Sequence, residues 1–368
     1  MSVAAGPVSW ELAERVATKL ASRQPWLSPG RMSVLEEDFQ RFTAEAEGLV
    51  SELTGLSAPS AARARVTDRP GWARANVASA KRLLSPLAAK LEQAMAKPAA
   101  TLGPFALRPP PQLSRNLAGL QLGLLLGWLS TRVLGQYDQL LMEEEAALDQ
   151  DVVYYVGPNI VQVEERYGFD PQQFRLWIAL HEVTHRLQFC GVPWLRPYFL
   201  EVVSQLVEGT DPDPRRILEA LKAAVEQLRT GANPLDDGGL LALIATPQQR
   251  EALDRIGGLM SLLEGHGDIM MSRAGATRVP DAPHFARALQ QRRQLRPAAK
   301  AFSVAVGLDA KLKQYEQGER FILAVEAAGG RELLDLVWRG PQWLPTMAEI
   351  RDPSRWVERC AGAATVVV

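Results

Sequence analysis

The sequence predicts a mainly α-helical chain with one small β element close to a metal site, and three observations carry that prediction. Apolar residues recur at three- and four-residue steps through most of the 368 positions, the period of a helix with one buried face. One stretch, Asp151-Val152-Val153-Tyr154-Tyr155-Val156, is β-branched and aromatic over consecutive positions, which suits a strand. Shortly after it, residues 181–185 read His-Glu-Val-Thr-His within a segment of helical periodicity.

The elements follow in order. Residues 8–22 carry Glu11 and Glu14 early and Lys19 late, charges that complement a helix dipole. A second helix is expected over 33–53, with Leu35, Phe39, Phe42, Ala46, Leu49 and Val50 on one side. Residues 57–64 are small and polar and read as a loop. Asp68-Arg69-Pro70-Gly71-Trp72 reads as a turn, with Trp72 opening a helix to Met95. The proline-rich stretch 97–111 is the expected linker. It would separate an N-terminal helical lobe, 1–111, from a metal-binding domain, 112–368, unless the two form one continuous domain. An apolar helix is expected over 113–134, ending at Gly135-Gln136-Tyr137-Asp138. Its glycines at 119, 123 and 127 recur every fourth position, giving a flat face for another backbone. The strand at 151–156 leads to a turn at Gly157-Pro158-Asn159. Asp170 and Pro171 then form an N-cap and first turn. Further helices are expected over 195–208, 213–229, 247–271 and 310–328, with a loop over 231–239. His284 reads as an exposed loop residue. Residues 361–368 read as loose chain or an edge strand. No internal repeat is evident.

The chemistry centres on 181–185. Residues four apart on a helix stand one turn above each other, their Cβ atoms ~5–6 Å apart. His181 and His185 can therefore each aim a nitrogen at one ion. Zinc takes such nitrogens at ~2.0–2.1 Å and accepts a third protein ligand while keeping a position for water. Glu182 lies to the side of that ion, where a general base for the attacking water belongs. The alternative is a coincidental buried pair. It is disfavoured because Phe174, Trp177, Ile178 and the two histidines share one apolar stripe, and buried polar groups need partners.

The third ligand must come from elsewhere. In Leu262-Leu263-Glu264-Gly265-His266-Gly267-Asp268, three polar side chains interrupt an apolar helix. Glu264 and Asp268 are four apart and share a face. Glu264 can thus take the metal while Asp268 accepts a hydrogen bond from a ligating imidazole. His266 competes for the same role. It lies about 200° around the helix from Glu264, so both bind one ion only if the helix distorts. If Glu264 is the ligand, His266 can line the cleft and stabilise the transition-state oxyanion. Tyr154, Tyr155, Tyr167 and Tyr198 are further candidates for that task. Gly265 and Gly267, each costing ~1 kcal/mol against alanine in a helix, suggest a close backbone approach.

Composition narrows the partners. Formal net charge is −1, with both signs mixed, giving no reason to expect nucleic acid or an anionic membrane. The longest apolar stretch, 117–129, falls short of the ~20 residues a bilayer span needs. Two cysteines, Cys190 and Cys360, in no metal-type spacing and with no secretory pattern at the N-terminus, point to the cytoplasm. The expectation is a zinc-dependent hydrolase acting on a peptide or small amide, with oligomeric state left open. The rivals are a non-proteolytic metal-binding scaffold and an amidohydrolase for a small metabolite. A structural zinc site uses four protein ligands, and Cys190, about 140° around the helix from His185, is not an obvious fourth.

Beyond the His-Glu-Val-Thr-His core, residues 175–185 with Gln188-Phe189 and Pro193-Trp194-Leu195-Arg196 resemble a family of zincin-like metallopeptidases, mostly uncharacterised. Some of its members are linked to deazaflavin-coenzyme biosynthesis. Further blocks carry the same resemblance: Asp68-Arg69-Pro70-Gly71-Trp72, residues 132–138, Val156-Gly157-Pro158-Asn159-Ile160, Glu264-Gly265-His266, Leu344-Pro345-Thr346 and Pro353-Ser354-Arg355-Trp356. Gly267 stands where the family usually has alanine. The resemblance implies a mostly helical zincin-like fold and zinc peptidase activity, without a defined substrate.

Overall fold

The computed structural model of the chain describes residues 8–96, 111–137, 151–208, 246–294 and 308–364. It is mainly α, with one three-stranded sheet. The described residues fall into two compact units. One lies within Met1–Ala46 and Ala61–Val183, the other within Glu47–Ser60 and Thr184–Val368. Helices α2 (Pro29–Thr54) and α6 (Pro171–Gly191) contribute to both.

In the first unit, α1 (Trp10–Ala21) packs on α3 (Arg69–Ala96) and α4 (Pro111–Ser130). The small face of α1, Ala13, Ala17 and Ala21, is fully buried against Trp72, Ala73, Val77 and Leu126. The every-fourth-residue glycines of α4 make this packing possible: a Cβ on Gly123 would stand 2.7 Å from Ala13 O, and one on Gly127 2.8 Å from Leu20 Cβ. The close approach expected there is to α1. Strand β3 (Val152–Val156) is central, parallel to β1 (Arg63–Thr67) and antiparallel to β2 (Gly135–Tyr137). Its consecutive apolar residues suit that place, with four of five positions buried. Helix α5 (Gly157–Tyr167) follows β3 directly and closes on Gly168 in the left-handed region, φ 65°.

The second unit is helical. Helix α8 (Pro247–Ala274) packs against α7 (Leu195–Glu208) and α10 (Leu308–Leu334). Helix α9 (Ala282–Gln294) comes between α8 and α10 in sequence. The chain then makes two short 3-10 turns and the helices α11 (Met347–Arg351) and α12 (Pro353–Ala364). Helix α10 kinks where the expected helix ended: Gly329 and Gly330 leave helical geometry, Gly330 at φ 69°.

Several expectations are corrected. The end of the loop over 57–64 and the following residues form β1; its alternation of arginine with small residues, with Arg65 exposed and the other four half-buried, carries no strong period. The helix end expected at 135–138 includes β2, and the turn expected at 157–159 is the first turn of α5. Pro158 fills an early helix position where no N–H is needed. His284 is exposed but lies in the first turn of α9, and 361–364 continue α12. Of the linker expected over 97–111, residues 97–110 lie outside the described residues and Pro111 opens α4; the helix over 213–229 and the loop over 231–239 also lie outside them. Among the described residues no helix is long and apolar enough to cross a membrane.

Candidate metal centre

Helix α6 is the element on which the site is built, and it begins as its sequence directs. Gln173 N–H donates to Asp170 Oδ1 at 2.9 Å, the N-cap bond that satisfies an orphan donor of the first turn. From Phe174 to Phe189 nearly every residue is buried, not only one stripe. Such a helix tolerates charge only where each charge is matched. Arg175 makes a bidentate pair with Glu164 at 2.8 and 2.9 Å and a further contact to Asp38 at 2.5 Å. Arg186, fully buried, donates to Glu47 Oε1 at 2.6 Å and Ser60 O at 2.5 Å. Both arginines are thus charge-matched within the fold.

His181, half-buried, and His185, buried, stand one turn apart on α6. Glu264, 4% exposed, comes from α8. The three offer ligand atoms that all lie within 4.8 Å of one another. His185 Nε2 is 3.5 Å from Glu264 Oε2, beyond an ordinary N–H···O hydrogen bond. It matches two donors each ~2.0–2.2 Å from a shared ion. Two imidazole nitrogens and one carboxylate oxygen suit zinc and leave its fourth position for substrate or water. The residues present therefore fit a metal ion.

Glu182, 9% exposed, is held from β2. Tyr137 N–H donates to its Oε2 at 3.2 Å, and Gly135 leaves room for its stem, since a Cβ there would stand 2.6 Å from Glu182 Cγ. Tyr155, on β3, feels the charge of this carboxylate. Its hydroxyl bonds Thr43 at 2.8 Å, its ring stacks on Phe39, and burial followed by the charge of Glu182 pushes its pKa far up, against the pull of Thr43. Tyr154 lies near Arg65, Tyr167 stacks on Phe169, and Tyr198 packs edge-on to Trp194.

His266 lies outside the three-donor cluster. Its Nδ1 is 2.9 Å from Gln188 Nε2 and its ring packs edge-on to Trp338. Burial, with His185, Arg273 and Arg331 nearby, pushes its pKa down to about 3, so the ring is neutral at physiological pH. Asp268 is half-buried one turn beyond Glu264. At His185 an orienting contact comes from Gln188, whose Oε1 is 3.0 Å from Nδ1. Sequence reasoning gave Gln188 no role, although its place three residues after His185 puts it on the same face. The Tyr137 amide was also missed; a backbone donor leaves no residue signature.

Residues 8–357 match the zincin-like metallopeptidases. A crystal structure of a provisionally assigned hydrolase with a novel fold, from Chloroflexus aurantiacus, is 32% identical with a TM-score of 0.67, covering 96% of this chain and 98% of that one. No curated protein matches. The family implies a metal ion, typically zinc, and hydrolytic chemistry. Because the match runs through nearly the whole chain, from α1 to α12, the protein belongs to the zincin-like metallopeptidase family.

Proposed function

We propose that the protein is a zinc-dependent hydrolase that cleaves amide bonds, with peptides as its substrate class. The observation that carries this reading is the convergence of His181, His185 and Glu264, with Glu182 next in sequence to the first of them. His181 and His185 would hold zinc through imidazole nitrogens and Glu264 through a carboxylate oxygen. When bound, zinc supplies Lewis-acid activation of water and of a substrate carbonyl. Glu182 is the general base: its carboxylate takes a proton from the attacking water and passes it to the leaving amine nitrogen. The Tyr137 N–H bond keeps that carboxylate in one orientation through both transfers. His266, as a neutral ring, is available to donate to a developing oxyanion, and Asp268 to orient the His181 imidazole. The balanced charge and two cysteines favour a cytoplasmic protein with no nucleic-acid or membrane partner.

The test is Glu182→Gln. It should keep zinc while hydrolysis of a peptide library falls about 10²–10⁴-fold. A variant that lost its zinc, or cleaved as well as wild type, would contradict the assignment.

A further inference from the structure

We infer that Gln188 is a positioning residue that fixes the tautomers of two histidines at once, His185 and His266. The derivation starts from a main-chain carbonyl. Leu263 O can only accept a hydrogen bond, and it lies 3.1 Å from one end of the Gln188 amide. That end is therefore the NH2 group, Nε2. The same nitrogen stands 2.9 Å from His266 Nδ1, so Nδ1 accepts and carries no proton. A neutral ring then holds its proton on Nε2. The other end of the amide, Oε1, can only accept, and it lies 3.0 Å from His185 Nδ1. His185 therefore carries its proton on Nδ1. Its Nε2, the atom 3.5 Å from Glu264 Oε2, presents the bare lone pair that a metal needs.

Both N–H groups of the amide and its oxygen are used, and Gln188 is fully buried. This accounts for glutamine here in place of the carboxylate that often backs a ligating histidine. A glutamate would serve His185 equally well. It would also set an oxygen against Leu263 O and draw a proton onto His266 Nδ1. Glutamine is the side chain of that length with an acceptor at one end and donors at the other. It readies His185 as an Nε2 ligand and makes His266 an Nε2–H donor whose Nδ1 is unavailable to metal.

The consequence for metal binding rests on the zinc reading above; the tautomers do not. The experiment is a long-range 1H–15N correlation on the full chain labelled with 15N-histidine, with and without zinc. Only four histidines are present, so single substitutions assign them. The expected wild-type result is His185 protonated on Nδ1 and His266 on Nε2 in both states. Gln188→Glu should move the His266 proton to Nδ1 while zinc affinity stays close to wild type. Gln188→Met should release the His185 tautomer and weaken zinc about 10–100-fold. A wild-type His266 protonated on Nδ1, or His185 on Nε2, overturns the inference whether or not the variants fold. So does a folded Gln188→Met chain that keeps both tautomers. If the tautomers are as stated and zinc does not bind, the proposed function fails and this inference stands.

Discussion

Gly135 lacks a side chain at a point where the Glu182 stem passes. Gly135→Ala should therefore push the carboxylate off its Tyr137 N–H anchor without touching a metal donor. Misplacement of a reacting group by ~1 Å costs about 10²-fold in rate, so a loss of that order with zinc content unchanged is expected. Metal analysis beside steady-state kinetics would read it, and unaltered turnover would show that the anchor is dispensable. The choice of third ligand is tested at the same scale. Glu264→Ala should weaken zinc strongly, His266→Ala should retain zinc and lower turnover, and Asp268→Asn should cost about 10–100-fold in affinity. Chelator competition ranks the three, and the reverse order for Glu264 and His266 would favour a three-histidine site. The donors were legible because a four-residue helical step fixes where side chains stand. Gln188 was not, because its role depends on Leu263 and His266 arriving from another helix.

Helices of the second unit meet backbone to backbone. A Cβ on Gly265 would overlap the Gly318 main chain. Gly318→Ala should thus separate α8 from α10 at an overpacking cost of about 1–3 kcal/mol, read as a drop of a few degrees in the thermal midpoint. An unchanged midpoint would mean that the contact is slack. The approach at Gly265 was foreseeable from a glycine in an apolar helix; its partner was not, since Gly318 lies more than fifty residues away. At α11, Thr346 and Glu349 form a reciprocal capping box, and Arg359 Nε donates to Glu349 at 2.6 Å. Burial pulls the Glu349 pKa up, but the Arg359 and Thr346 bonds together outweigh it and leave it below its ordinary value. The stability it contributes is complete above the unfolded-state pKa and is lost as pH falls through the folded-state one. The stability gap between wild type and Arg359→Ala should accordingly narrow on acidification below about pH 4, leaving the part due to the Arg359 bonds to Gln342 O and Leu344 O. A gap constant with pH would remove the ion pair from the account. Strands β1 and β2 were illegible for a related reason. One is five residues with no clear alternation and the other only three, so their pairing is supplied by β3.

For the whole chain, the mainly helical class was readable because helical periods occupy most of the sequence and one segment alone has strand chemistry. The match from residue 8 to 357 places all of these elements in one family. Family membership and the converging donors meet in a single quantity, the zinc held by each purified chain. Native mass spectrometry of wild type, Glu182→Gln and Glu264→Ala measures it most directly. The account predicts about one zinc per chain in wild type and in Glu182→Gln, and little or none in Glu264→Ala at the same concentration. A wild-type chain that stays metal-free after zinc loading, or a Glu264→Ala chain that holds zinc as tightly as wild type, would contradict it.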